Sequence, residues 1–192
     1  SGSDVMPTTP DILIPRHVAK QVTTALADTP VVLIHGPRQC GKTTLATNLA
    51  GCLAHSGDAV CLWDLDRQHS SLEWLKLRPS YLPKIVRLDE REHLPKKAQW
   101  LVLDSPAGLH GKRLTEMVKE AHKVLVPIQP SLYDIAATRD FLAELKEEKA
   151  IRKHKAFVGI IGSRVDPRTR AGTQLITYIR EHLDRFPVVV AA

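Results

Sequence analysis

The stretch VVLIHGPRQCGKTTLATNLA, residues 31–50, decides the fold. An apolar run, Val31–His35, leads into G-x-x-x-x-G-K-T from Gly36 to Thr43, and a helical pattern over Lys42–His55 follows. Strand, glycine-bounded turn and helix in that order are the context a phosphate-binding loop requires. Gly36 and Gly41 permit backbone angles that aim successive N–H groups at an anion, and the helix adds its positive end. Lys42 is expected to bridge β- and γ-phosphate oxygens, and the Thr43 hydroxyl to ligate Mg²⁺. The expected nucleotide cradle is therefore Gly36, Pro37, Arg38, Gln39, Cys40, Gly41, Lys42, Thr43 and Thr44.

Outward from this loop, strand and helix patterns alternate. Strands are predicted at Val31–His35, Ala59–Trp63, Lys84–Leu88, Trp100–Asp104, Lys123–Pro127, Ala156–Ile161 and Pro187–Ala191. Helices are predicted at Arg16–Ala27, Lys42–His55, Ser71–Lys76, Lys112–His122, Ile135–Lys149 and Thr169–Arg185. Most of the strands lack polar alternation, which argues for a mostly parallel α/β sheet with helices on both faces. Ligands bind at the carboxyl ends of such strands. The charged and glycine-rich clusters at 36–44, 64–68, 104–108, 127–134 and 162–170 all fall there.

Two carboxylate sites complete the expected chemistry. WLVLDSPAG (100–108) puts Asp104 at a strand end, where it would hold the metal or else cap the next turn. Ser105–Gly108 is expected to sense the γ-phosphate through a backbone N–H. In CLWDLDRQHSS (61–71), Asp64 and Asp66 end another strand. One of them can orient the attacking water while the other joins the metal's outer shell.

Bulk numbers set limits. A chain of 192 residues with 43% hydrophobic content is enough for one domain with a full core. We expect residues 1–30 to hold a tag remnant (Ser1-Gly2-Ser3) and a lead-in helix, and 31–192 to form one P-loop domain. No apolar run reaches a membrane span, and no secretory signal pattern is visible. Cys40, Cys52 and Cys61 form no C-x-x-C pair, which suits a reducing cytoplasm. The nine histidines have no ligand spacing and read as surface or core residues.

From residue 45 onward the chain resembles the ParA/MinD family of Walker-type ATPases. The resemblance rests on NLAGCLAHSGDAVCLWDLDRQHSSLEW (48–74), WLVLDSPAG, VLVPIQPSLYDIAATRDFLAEL (124–145) and GIIGSRVDPRTRAGTQL (159–175), in the family's order. It implies an ATP-dependent homodimer that binds DNA non-specifically and releases it after hydrolysis stimulated by a ParB-like or other adaptor. Such a protein would position plasmid, chromosome or other cargo. The resemblance also puts the water-positioning aspartate at Asp66, which we include among the metal candidates, and the Walker B aspartate at Asp104.

Two departures stand out. The family loop reads K-G-G-x-G-K-[ST], with a lysine that reaches the other subunit's nucleotide. Here Pro37 takes that lysine's place, and Arg38 and Gln39 replace the two glycines. ALADTPVVLIHGPRQCGKTTLA (25–46) is more similar to the G-P-R-Q-x-G-K-T-T loop of certain AAA-type ATPases. The second departure is that family members usually continue past a strand like FPVVVAA into a further loop and helix.

The remaining signals each have two readings. Arg38 is either a guanidinium substitute for the missing lysine or a solvent-facing side chain. Cys40 is either redox-sensitive at a helix N-terminus or a small packing residue. In GSRVDP, Arg164 would stack on the base and Asp166 accept from its amino group, although the motif does not separate adenine from guanine. Arg152, Lys153, Lys155, Arg168 and Arg170 form either a DNA-phosphate surface or an ordinary solvated face beside nearby acids. The rival functions are a catalytically weak nucleotide-binding scaffold and a P-loop kinase or synthetase acting on a small acceptor.

Overall fold

Every strand pairing in the sheet is parallel, and the strand order places the glycine-rich loop at its centre. The computed structural model describes residues 31–88, 94–109, 111–148, 151, 153, 156–182 and 188–190. The strands are β1 (Val31–Ile34), β2 (Val60–Asp64), β3 (Ile85–Arg87), β4 (Trp100–Asp104), β5 (Lys123–Ile128), β6 (Phe157–Gly162) and β7 (Val188–Val190). The helices are α1 (Lys42–His55), α2 (Ser70–Leu77), α3 (Gly111–Glu120), α4 (Leu132–Glu147) and α5 (Arg170–His182). The order across the sheet is β3-β2-β4-β1-β5-β6-β7. The expected lead-in helix at 16–27 lies outside the described residues.

Alternate residues of β1, β2, β4, β5 and β6 feed two cores, as the two-residue period of a strand requires. Val32, Ile34, Leu62 and Val102 point to one face, where Leu45, Leu49 and Leu53 of α1 cover them with Trp74 and Leu75 of α2. Leu33, Leu101, Leu103, Val126 and Ile160 point to the other. There they meet Leu114 and Val118 of α3, Phe141, Leu142 and Leu145 of α4, and Leu175 and Ile179 of α5. Leu49 and Leu53, buried on α1, each contribute about 2 kcal/mol by leaving water. The sheet is thus covered on both faces, which is why its strands read as near-continuous apolar runs.

One boundary moves for a specific reason. Helix α4 starts at Leu132 rather than the expected Ile135, because Ser131 caps it: its Oγ accepts the Asp134 N–H at 3.1 Å. Among the described residues no helix is long and apolar enough to cross a membrane.

Candidate functional site

Register brings the chemistry together. Ile34 of β1 and Asp64 of β2 both pair with Asp104 of β4, so three strands end level beneath the loop. The loop then enters α1 through Gly41 at φ 94°, with no side-chain cap and no acid in the first turn. The first N–H groups of α1 therefore have no side chain of their own competing with an anion.

Lys42 is only 7% exposed. Its Nζ donates to the carbonyls of Gly36 at 3.2 Å and Pro37 at 2.9 Å, curling over its own loop. Gln129, at the end of β5, pins the far side, donating from Nε2 to the Gln39 carbonyl at 2.9 Å. A Cβ on Gly41 would stand 3.5 Å from Ser163 Oγ and 3.6 Å from Gln129 Nε2, so the strand ends of β5 and β6 close in around this glycine.

Gln39 sits at φ 59°, in the left-handed region. A residue with a Cβ there costs on the order of 1–2 kcal/mol, and the family's glycine would not. Gln39→Gly is therefore expected to raise stability by about 0.5–1 kcal/mol, part of the gain going to a freer unfolded chain. Urea unfolding of the two proteins measures this, and a lower midpoint for the variant would rule out the strain. Cys40 is fully buried, and burial pushes its thiol up to about 11. That is the opposite of a reactive thiolate, so its side chain packs under the loop against Gly36.

The two aspartates of β2 part company. Asp64 is buried and its carboxylate accepts from the Asp66 N–H (2.9 Å), the Ser71 N–H (2.9 Å), the Ser71 hydroxyl (2.6 Å) and the Leu72 N–H (3.4 Å). These bonds fix the turn and the first residues of α2, so the Asp64 carboxylate is engaged by its own segment. Asp66 is half-buried and its carboxylate accepts one backbone N–H, from Gln68 at 3.2 Å.

Asp104 is 1% exposed, and burial pushes its carboxyl up to about 6, with the nearby Asp64 adding to the rise. The Thr43 hydroxyl, Ser71 and Lys42 pull it the other way. Ser71 Oγ lies 3.0 Å from Asp104 Oδ2, whereas Oδ1 has no hydrogen-bond partner among the described residues. A buried, unsatisfied carboxylate oxygen next to a threonine hydroxyl is a pair of hard ligands suited to Mg²⁺, which takes one or two protein oxygens and keeps water and phosphate for the rest.

The outer residues are distributed as follows. Arg38 is exposed and has no ion pair among the described residues. Arg164 is exposed with φ 57°. The Asp166 carboxylate accepts the Arg168 N–H at 2.9 Å and two guanidinium bonds, from Nε at 3.0 Å and Nη2 at 2.8 Å. These bonds hold Asp166 below the usual carboxylate range, and base recognition through it would have to open this clamp. Lys153 and Arg170 are exposed, while Arg152 and Lys155 lie outside the described residues.

Sequence reasoning missed three residues that shape the site: Ser71, Gln129 and His35. The His35 ring is buried beneath the loop, with Nδ1 2.6 Å from Ser105 Oγ. The one available signal was a polar residue at the inner end of an apolar strand.

Residues 39–190 match the model of the CobQ/CobB/MinD/ParA nucleotide binding domain. The chain is 26% identical over 145 residues to the maintenance of carboxysome distribution protein A of Gloeobacter kilaueensis, covering 72% of this chain and 64% of that protein. It is 28% identical over 179 residues to the chromosome-partitioning ATPase Soj of Thermus thermophilus, covering 74% and 72%. The fold is similar to that of Cyanothece McdA solved as a variant in complex with ATP, with a TM-score of 0.68 at 14% identity over 84% of this chain and 82% of that one.

Proposed function

The chain belongs to the CobQ/CobB/MinD/ParA nucleotide-binding family, and from this and the loop geometry we propose that it binds and slowly hydrolyses ATP with Mg²⁺. The observation that carries the reading is the unpartnered Asp104 Oδ1, buried beside Thr43 and Lys42 under a loop that feeds uncapped N–H groups into its mouth. When bound, Mg²⁺ would neutralise developing phosphate charge, held by Thr43 and Asp104. Lys42 leaves the Gly36 and Pro37 carbonyls for phosphate oxygens. Asp66 accepts a hydrogen bond from the attacking water and orients it. Gly36 to Thr44 wrap the phosphates in backbone N–H groups, Pro37 excepted because it has none.

We further propose an ATP-dependent homodimer that holds DNA non-specifically and is released by a stimulating adaptor. The partitioning role of the Thermus relative supports this, as do the net charge of +6 and the exposed Lys153 and Arg170. Phosphate contacts of this kind are strongly salt-dependent. Light scattering after gel filtration is expected to show a monomer in ADP and a dimer in a slowly hydrolysed ATP analogue with Mg²⁺. A mass independent of nucleotide would sink the switch. Retention of duplex DNA in a gel shift is expected only with the analogue and only at low salt.

Pro37 favours a second reading, a nucleotide-binding scaffold with little turnover, because the lysine that crosses the dimer is gone. The exposed Arg38 beside it decides between the two readings. If Arg38 replaces that lysine, Arg38→Ala lowers steady-state hydrolysis by orders of magnitude; an unchanged, appreciable rate removes that role.

A further inference from the structure

The residues that immediately follow β1 and β4 are braced against each other. The Ser105 N–H donates to the Ile34 carbonyl at 3.2 Å, and the His35 N–H donates to the Leu125 carbonyl at 3.0 Å, so both backbones continue the ladder one step past the strands. Their side chains then meet, sharing the 2.6 Å hydrogen bond between His35 Nδ1 and Ser105 Oγ. Neither residue is more than 1% exposed. The His35 ring also stands edge-on to Phe141 of α4, with centroids 4.7 Å apart at an interplanar angle of 77°.

We infer that His35 is a positioning residue for γ-phosphate recognition: through Ser105 it sets the resting place of the 105–108 turn against the phosphate loop, and through Phe141 it links that turn to α4. The inference rests on the nucleotide-site reading above. Three observations support it. His35 directly precedes Gly36, the first residue of the loop, and Ser105 directly follows Asp104, so the bond spans the two segments that would flank a terminal phosphate. The bond is dry, where a hydrogen bond is electrostatically stronger than in water and leaving either partner unsatisfied is costly. The third is the ring's position against α4. That helix begins with Leu132 and Tyr133, which are 71% and 91% exposed, so a shift of the turn is felt by a helix whose first turn is open to a partner.

The consequence concerns the difference between triphosphate and diphosphate. ADP reaches only the loop and Lys42, so it is indifferent to the 105–108 turn. ATP needs that turn in place. His35→Phe keeps the ring against Phe141 and removes the hydrogen bond, His35→Asn keeps a polar atom near the Nδ1 position and gives up the ring, and Ser105→Ala removes the partner. Titration calorimetry with ADP and a slowly hydrolysed ATP analogue, each with Mg²⁺, reads the effect. His35→Phe and Ser105→Ala are expected to leave ADP affinity within about twofold and weaken the analogue about tenfold, the worth of one buried hydrogen bond. The double variant is expected to be no worse than either single one, because both remove the same bond. His35→Asn is expected to recover most of the loss.

An unchanged ratio of analogue to ADP affinity in a His35→Phe protein that melts like wild type overturns the inference. Equal weakening of both nucleotides also overturns it, because a merely structural role would give that result. Failure of the wild type itself to bind either nucleotide removes the underlying site reading, a result plainly different from an unchanged ratio.

Discussion

Lys42→Ala is expected to abolish nucleotide binding, weakening ATP by at least about a hundredfold. Two charge-assisted hydrogen bonds to phosphate, at roughly 1.5–3 kcal/mol each, set that scale. The lysine is almost wholly buried at the loop mouth, so water cannot take over its role. Removing it also strands the Gly36 and Pro37 carbonyls, which now accept from Nζ at 3.2 and 2.9 Å. Some loss of stability therefore accompanies the loss of binding, and the two must be separated. Lys42→Met keeps much of the stem and removes the charge, so its melting point reports the carbonyls while its calorimetry reports the phosphate. Equal ATP affinity in wild type and both variants would remove Lys42 from the phosphate site.

The second large effect is at Asp104, and it has opposite signs with and without ligand. Its carboxyl, ordinarily at 3.8, is pushed up to about 6 in the fold, chiefly by burial. A group raised in this way binds its proton more tightly folded than unfolded. The stability it contributes is fully present below 3.8 and is lost as pH rises through about 6. Above that, the ionised carboxylate costs the ligand-free protein about 3 kcal/mol. Asp104→Asn removes the charge and nearly keeps the shape. The ligand-free variant is expected to be more stable than wild type at pH 8 by about 2–3 kcal/mol, and no more stable near pH 4. With Mg²⁺ and ATP the order reverses: wild type is stabilised by ligand and the variant is not. Denaturant unfolding across that pH range measures both, and a difference that stays flat with pH would contradict the buried-carboxylate account.

This acid also marks where the sequence stops being legible. WLVLD and the strand–loop–helix at 31–50 announce themselves because their information is local: an apolar run, a glycine with unusual angles, a helix start. The seven strands and the helices within the described residues could be located for the same reason. The residues alone leave the roles of Asp64 and Asp66 open, and only the family resemblance singles out Asp66, because what distinguishes them in the fold is Ser71. That serine reaches Asp64 and Asp104 only because β2 and β4 lie side by side. Gln129 lies in the 127–134 cluster at a strand end, but the sequence assigns it no role of its own, for a similar reason. Its partner, Gln39, is 90 positions away and is brought near by β5 lying against β1. His35 was passed over because a buried histidine at a strand end looks like core until its partner is known. Asp166 shows another thing the sequence does not display: its carboxylate is held by a neighbour, Arg168, two residues on.

The strand order has a consequence for how the molecule breathes. β1 has three strands on either side of it, so its amides sit farthest from either open edge of the sheet. Hydrogen exchange there requires opening most of the domain, whereas the edge strands β3 and β7 can fray alone. The root of the phosphate loop is thus anchored in the strand expected to exchange slowest among the described residues. A bound nucleotide would not have to organise its own floor; it would act on the short segments above it, 36–41 and 105–108. Protection added by nucleotide is expected on those amides and the helices they lead into, with the sheet beneath as the fixed reference.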